Sequence, residues 1–595
     1  MKNVITVVVD AFCYKNLERR VGYKEVTPFL NSLAKKSLCF TNMHSQAPYT
    51  EASLISLLGG ENTLENGGYL FGNANIKNSI FKDYKEAGYH TILGYSPYVY
   101  SKAYLRDVTD YKYTRLYTIR PCFDYRFNYF KDKKINNEFQ DDYYSVCSII
   151  LEEAFETWKL QCNSLLNKEE TSEMILPFIR DMNSIITVKN GLVIEEEKYK
   201  ENKKEYIESI LSQWNNHKLI DLDKIYNEKK ELKLLGRLKE RYNDKLLHFQ
   251  KIYEQKILKG VHIDFNYVFK TFCGSKDKKD FLRLIKSYCI FKKNKDLENY
   301  LNNLNAQSKC EVSMQTMFEC FKRIIKSYDE KNENYYLYFQ PQDFHLPSLF
   351  HSFDSEDECL TENEFEAAFS LLNSLDSTYK GNIIADLSAH FCDLKLEQFY
   401  TQLKDELKNE FIFVVVADHG YPSYYNPPRP IIYNQTYTEA FHIPCLINGS
   451  SVASQKKNGL YSVIDGVDYV KHYALELEKN PNVQERKYIL SEYAGPGCPL
   501  ITEKKIWYSL ITKEQKLSAE VSLGKEAEYT DIKDIYDLMN DPDQKYNLRK
   551  SCKKCPKINE FLKVITKRSL YLGKRFLKET YLKDLINLIN SQKIF

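Results

Sequence analysis

Six consecutive apolar residues, Phe411-Ile-Phe-Val-Val-Val416, run directly into Ala417-Asp418-His419-Gly420, and no other stretch constrains the chain as strongly. An unbroken run of β-branched and aromatic residues describes a strand covered on both faces, as in a parallel sheet between helices. In open α/β sheets, ligands bind beyond the carboxyl ends of such strands. There a carboxylate and an imidazole can offer an oxygen and a nitrogen to one divalent metal. The same residues also suit a plain polar turn.

The beginning of the chain repeats the pattern, with Val4-Ile-Thr-Val-Val-Val9 leading onto Asp10. That run is too short for the apolar part of a signal peptide, and it ends on an acid where small residues are expected. No stretch approaches the 18 or more apolar residues of a membrane span. The expectation is a soluble, cytoplasmic protein. With 84 basic against 81 acidic residues, the net charge is +3. That balance leaves no electrostatic footprint for nucleic acid, so any anion binding must be local. The 15 scattered cysteines suggest reduced thiols. Cys552-Lys-Lys-Cys555 has no partner pair and reads as a basic surface turn more readily than as a structural zinc site.

Helical spacing over 27–36 predicts a helix capped by Thr27, with Pro28 at its first position. A short strand over 38–41 follows, then a turn containing Pro48 that delivers Thr50 to a helix start. Leu54, Leu57 and Leu58 continue that helix, and Gly59-Gly60 stops it. A hydroxyl at a helix N-terminus lies beside unpaired N–H groups and the positive end of the dipole, both of which favour an oxyanion. An isolated Thr there is equally a favoured N-cap. Residues 78–98 suit a helix and a strand.

From 101 to 334 the chain is rich in Lys, Glu, Asn and Tyr, with helical spacing as in Ile207, Ile210, Leu211 and Trp214. Its charge blocks read as solvated helix faces. The sheet resumes over 335–340, and a long helix is expected over about 362–408. A Pro-rich loop over 422–430 and a strand over 442–448 come next. The expected fold is α/β, with a discontinuous sheet domain (1–100 and 335–485), a helical insertion (101–334) and a C-terminal α+β subdomain (486–595). That subdomain carries a strand over 505–511 and helices near 556–593.

Several segments, in order, resemble the sulfatase family of the alkaline phosphatase superfamily. Thr27-Pro-Phe-Leu-Asn-Ser-Leu-Ala-Lys-Lys-Ser-Leu-Cys-Phe-Thr-Asn42 is similar to the family's opening "TPNLDRLAKEGVRFTN". Thr50 stands ten residues before Gly60, the family's spacing for its nucleophile. His345-Leu-Pro347 resembles the His-x-Pro motif, and Ala417-Asp-His-Gly420 resembles SDHG. Glu439 with His442-Ile-Pro444 resembles the "yE…vPlii" strand, and Asp534-Ile-Tyr-Asp-Leu-Met-Asn-Asp-Pro542 resembles the C-terminal "ELYDLENDP" signature.

The resemblance covers roughly 1–100 and 335–550. It implies a mixed, mostly parallel central sheet sandwiched by helices, with 1–100 and 335–485 as the catalytic domain. It also implies that Asp10, Asp418 and His419 ligate a metal, with Thr50 as nucleophile and fourth ligand. His345 and His442 would bind substrate oxygens or protonate the leaving group. One divalent ion is expected, zinc or manganese ahead of calcium or magnesium, because a nitrogen joins the oxygens. Its ligands must come within about 8 Å of one another. Two-metal relatives have an Asp and a His four residues apart, whereas Asp343 and His345 are two apart.

The chain departs from the family at two places. Thr50-Glu-Ala-Ser-Leu54 lacks the Cys and Arg of C-x-P-S-R, whose Cys becomes formylglycine, and the family's Asp-Asp pair is Asp10-Ala11. A Thr nucleophile resembles phosphoglycerol and phosphoethanolamine transferases and phosphodiesterases of the superfamily. The implied activity is hydrolysis or transfer on a small-molecule or glycan-linked phosphoester. The alternatives are a sulfuric ester hydrolase with an unusual nucleophile, and a catalytically silent member whose helical insertion binds a partner.

Overall fold

Strands β1 (Asn3–Val8), β2 (Leu38–His44), β3 (His90–Leu93), β4 (Asp110–Tyr111), β5 (Tyr335–Phe339), β6 (Phe411–Val416), β7 (His442–Asn448), β8 (Gln455–Lys457) and β9 (Tyr461–Ser462) form one sheet. Their spatial order is β8-β2-β7-β6-β1-β5-β3-β4, with β9 also paired to β2. The computed structural model describes residues 1–67, 76–94, 104, 106–111, 143–166, 180–213, 314–341, 344, 370–371, 374, 383–420, 437–476, 483–494, 505–522, 530–550 and 556–576. Asp343, His345, the loop over 422–430, Cys552 and Cys555 lie outside these residues.

Among the described strands, β7 runs against its neighbours β2 and β6, and every other pair in this sheet is parallel. The expected mixed, mostly parallel sheet is therefore present. Because β7 is reversed, its N-terminal end shares an edge with the carboxyl ends of β1, β2, β5 and β6. That edge gathers the functional candidates.

The period of two along each strand sorts the core into two layers. On one face, Phe339 and Phe413 pack against Phe318 and Phe399 from the helices Met314–Glu330 and Ile383–Glu406. On the other, Tyr336 and Tyr338 meet Phe81 of the Ile80–Glu86 helix. The Thr50–Gly59 and Val463–Ala474 helices also pack together. Asp110–Tyr111 and Met314–Glu330 thus belong to the sheet layer although they fall within the Lys- and Glu-rich segment. The other described parts of that segment are helices Tyr143–Leu166, Met182–Glu201 and Lys203–Gln213. The first two are joined by the Lys159–Glu196 ion pair at 2.7 Å and by Phe155 against Tyr199, and Tyr206 of the third also meets Phe155.

The Pro28–Lys35 helix starts at the expected place but is capped differently. Thr27 sits at the N-cap with no side-chain bond to the helix. The buried Asp393 carboxylate instead accepts the N–H groups of Phe29 (2.9 Å) and Leu30 (2.8 Å). A buried carboxyl group from a distant helix, its pKa raised by burial to about 7, thus does the work that sequence assigned to a local hydroxyl.

A second sheet, β10 (Ile489–Ala494), β11 (Lys505–Ile511), β12 (Gln515–Ser522) and β13 (Thr530–Asp537), is antiparallel throughout. The Pro556–Phe576 helix closes its core with Phe561, Ile565 and Leu572. Among the described residues, no helix is long and apolar enough to cross a membrane.

Candidate active site

Register alone brings two acids together. Val8 of β1 lies opposite Val416 of β6, and the Val9 N–H donates to the Val416 carbonyl at 2.8 Å. Asp10 and Asp418 each follow that pair by two residues, so they stand side by side at the sheet edge, both fully buried. Asp418 Oδ1 accepts the N–H of Ala11 (3.1 Å) and of His419 (2.9 Å), which leaves Oδ2 turned towards Gln340 and His419. Ala11 reaches it from φ 61°, a left-handed conformation uncommon for a residue with a Cβ. Burial above all, and then the Asp10 charge, raises the Asp418 pKa.

The His419 ring has a defined orientation. Its Nδ1 lies 2.9 Å from the Gly420 carbonyl, which can only accept, so Nδ1 donates there and Nε2 is the nitrogen turned to the acids. Nε2 lies 3.6 Å from Asp10 Oδ1 and 3.7 Å from Asp418 Oδ2. Gly420 is required here because a Cβ would fall 1.8 Å from the Glu439 carbonyl oxygen.

Thr50 is the first residue of its helix, and Tyr49 holds the N-cap position with extended backbone. The Thr50 hydroxyl is therefore not a cap. It faces the acids, 3.3 and 3.5 Å from the two Asp10 oxygens and 3.3 Å from His419 Nε2.

Gln340 is a member that sequence reading missed. It directly follows β5, is wholly buried, and donates from Nε2 to Asp10 Oδ2 (2.8 Å) and Asp418 Oδ2 (2.9 Å). The signal was present: Tyr335–Phe339 is a third apolar strand running onto a polar residue at the same edge.

His442 is not drawn into this cluster. It lies opposite His44 on β2, its Nε2 donates to the Thr41 carbonyl at 3.0 Å, and its ring stacks on Tyr14 and His44. Burial lowers its pKa to about 4. At neutral pH the ring is uncharged, so it has no proton to spare for a leaving group. This corrects the role expected from sequence. His345 lies outside the described residues.

The ligand atoms of Asp10, Asp418 and His419 all lie within 4.8 Å of one another, well inside the span one ion can bridge. Two adjacent buried carboxylates, an imidazole nitrogen and a hydroxyl form a donor set suited to a divalent cation. Asp418 accepts from the backbone N–H groups of Ala11 and His419 and from the Gln340 amide, all of them neutral donors.

The sulfatase family model matches residues 2–146 and 248–470, well over half of the chain. The chain belongs to the sulfatase family. No curated protein matches it in sequence. Among solved structures, this sulfatase-family hydrolase is similar to the phosphonate monoester hydrolase of Agrobacterium radiobacter at 10% identity. That match covers 96% of each chain with a TM-score of 0.43. It is also similar to a phosphonate monoester hydrolase from Silicibacter pomeroyi at 11% identity, covering 98% of this chain and 96% of the other with a TM-score of 0.42. A 2-O GAG sulfatase matches at 10% identity over 100% of this chain and 94% of its own, with a TM-score of 0.43.

Proposed function

We propose that this sulfatase-family hydrolase acts on phosphoesters and that Thr50 is its nucleophile. The observation that carries the reading is the Thr50 hydroxyl, buried at a helix start and 3.3 Å from both Asp10 Oδ2 and His419 Nε2. Asp10, Asp418, His419 and Thr50 would hold one divalent metal, zinc or manganese by donor type. Bound there, it would supply Lewis acidity to the ester oxygens and make the hydroxyl more acidic.

Thr50 Oγ1 attacks phosphorus while its proton passes to Asp10 Oδ2. The bond from phosphorus to the leaving oxygen breaks, and that oxygen takes a proton, a role we assign to His345 from its His-x-Pro motif. Water or an acceptor alcohol then gives its proton to His345 and attacks the same phosphorus; the bond from phosphorus to Thr50 Oγ1 breaks, and Oγ1 takes back its proton from Asp10 Oδ2.

A Thr nucleophile also favours the phosphate reading. A formylglycine hydrate has two hydroxyls and can release sulfate by collapsing to the aldehyde. Thr50 has one hydroxyl and must be freed by attack at phosphorus or sulfur.

Kinetics on a chromogenic phosphodiester, beside the matching sulfate ester, test the reading. Thr50→Ala is expected to lose turnover by more than about a thousandfold while keeping its fold, and Thr50→Ser to keep part of it. Substantial turnover in Thr50→Ala would mean that water attacks directly. A preference for the sulfate ester would move the substrate class to sulfate.

A further inference from the structure

We infer that Gln340 is the positioning residue of the metal centre, an inference that rests on the metal reading above. Its amide has two N–H donors, and Nε2 reaches Asp10 Oδ2 at 2.8 Å and Asp418 Oδ2 at 2.9 Å. On the other side of the amide, the Tyr338 hydroxyl lies 3.5 Å from Oε1. A hydroxyl that donates to Oε1, and two carboxylates that accept from Nε2, orient the amide in one sense. Main-chain register places it: Phe339 lies opposite Val7, so Gln340 stands one step short of Val9 and its long side chain extends to Asp10.

The residue type suits the task. Two buried carboxylates in contact repel, and a neutral double donor holds them together without cancelling their charge. A neutral amide adds no charge of its own beside the two acids that would bind a divalent ion. A Lys at 340 would also bridge the acids but would repel the metal, and a Glu would add a third negative charge. The amide therefore arranges ligands that it does not join. Partners of metal ligands typically matter 10- to 100-fold in metal affinity.

The full chain, stripped of metal, can be titrated with zinc against a chromogenic chelator as wild type, Gln340→Met and Gln340→Lys. Melting of each apo protein reports folding. Gln340→Met keeps the length but loses both donors, and its zinc dissociation constant is expected to rise about 10- to 100-fold. Gln340→Lys keeps a donor to both acids and adds charge, so its apo form is expected to melt no lower than wild type while binding zinc more than about 100-fold more weakly. Folded variants that bind zinc within about twofold of wild type would overturn the assignment of Gln340. A wild-type chain that binds neither zinc nor manganese would instead overturn the metal reading on which it rests.

Discussion

At Gly420 a missing side chain sets the direction of the candidate metal ligand His419. Its carbonyl accepts from His419 Nδ1, and its N–H donates to the Ala440 carbonyl at 2.9 Å. A methyl group added there would meet the Glu439 carbonyl oxygen, which cannot move aside without breaking the same turn. Gly420→Ala is expected to destabilise by about 1–3 kcal/mol or more and to weaken zinc binding, read by thermal melting and zinc titration.

The stacked His44 and His442 rings provide a second test at this scale. Burial holds His44 well below the ordinary imidazole range, its Nδ1 has no hydrogen-bond partner among the described residues, and burial lowers His442 to about 4. The unfolded chain takes up these protons near pH 6.5 and the folded chain does not, so stability is present above pH 6.5 and is lost as pH falls towards 4. His442 alone accounts for on the order of 3 kcal/mol of that loss. Urea unfolding between pH 7.5 and 4.5 should show the decline, and His442→Gln should flatten it. An unchanged slope in His442→Gln would exclude the ring as its source.

The turn that presents Thr50 is an element held by another sheet. Residues 45–49 join β2 to the Thr50–Gly59 helix, and β10 of the C-terminal sheet binds them at three points. Ser491 Oγ donates to the Ser45 carbonyl at 2.8 Å, the Glu492 N–H to the Gln46 carbonyl at 3.0 Å, and the Tyr49 hydroxyl to the Ala494 carbonyl at 2.6 Å. Beyond the helix, the Glu492 carboxylate accepts the Leu64 N–H at 3.0 Å. Arg568 then grips Glu492 through two bonds (2.8 and 2.6 Å) and Glu65 through a third (2.9 Å).

The Glu492 side chain is 1% exposed, so removing its cation leaves a buried charge. Arg568→Met is expected to cost about 3–5 kcal/mol and to lower turnover by loosening the Thr50 turn. Adding Glu492→Gln should recover much of the stability, because the pair is then removed together. Chemical denaturation of the single and double variants decides it. Equal losses in both would mean that the ion pair is not the source.

Across the whole molecule, what sequence revealed and what it hid divide along one physical line. Buried strands announce themselves through composition, so β1, β5, β6 and β7 fall where the apolar runs stand, and Asp10 and Asp418 lie where those runs end. Family-like spacing then singled out Thr50. Contacts between distant segments leave no such trace: Asp393 caps a helix more than 360 residues away, and Gln340 joins two acids from separate strands. For the same reason His442 looked available, because nothing local foretells that the Thr41 carbonyl takes its Nε2.

The claim that unites these parts is a covalent ester on Thr50. Acid-quenched incubation with a phosphodiester, followed by intact-mass and peptide analysis, tests it most directly. One added phosphoryl or substituted phosphoryl group on the Thr50 peptide of wild type, absent from Thr50→Ala, is the expected result. Full turnover with no adduct on that peptide, or the same adduct in Thr50→Ala, would contradict it.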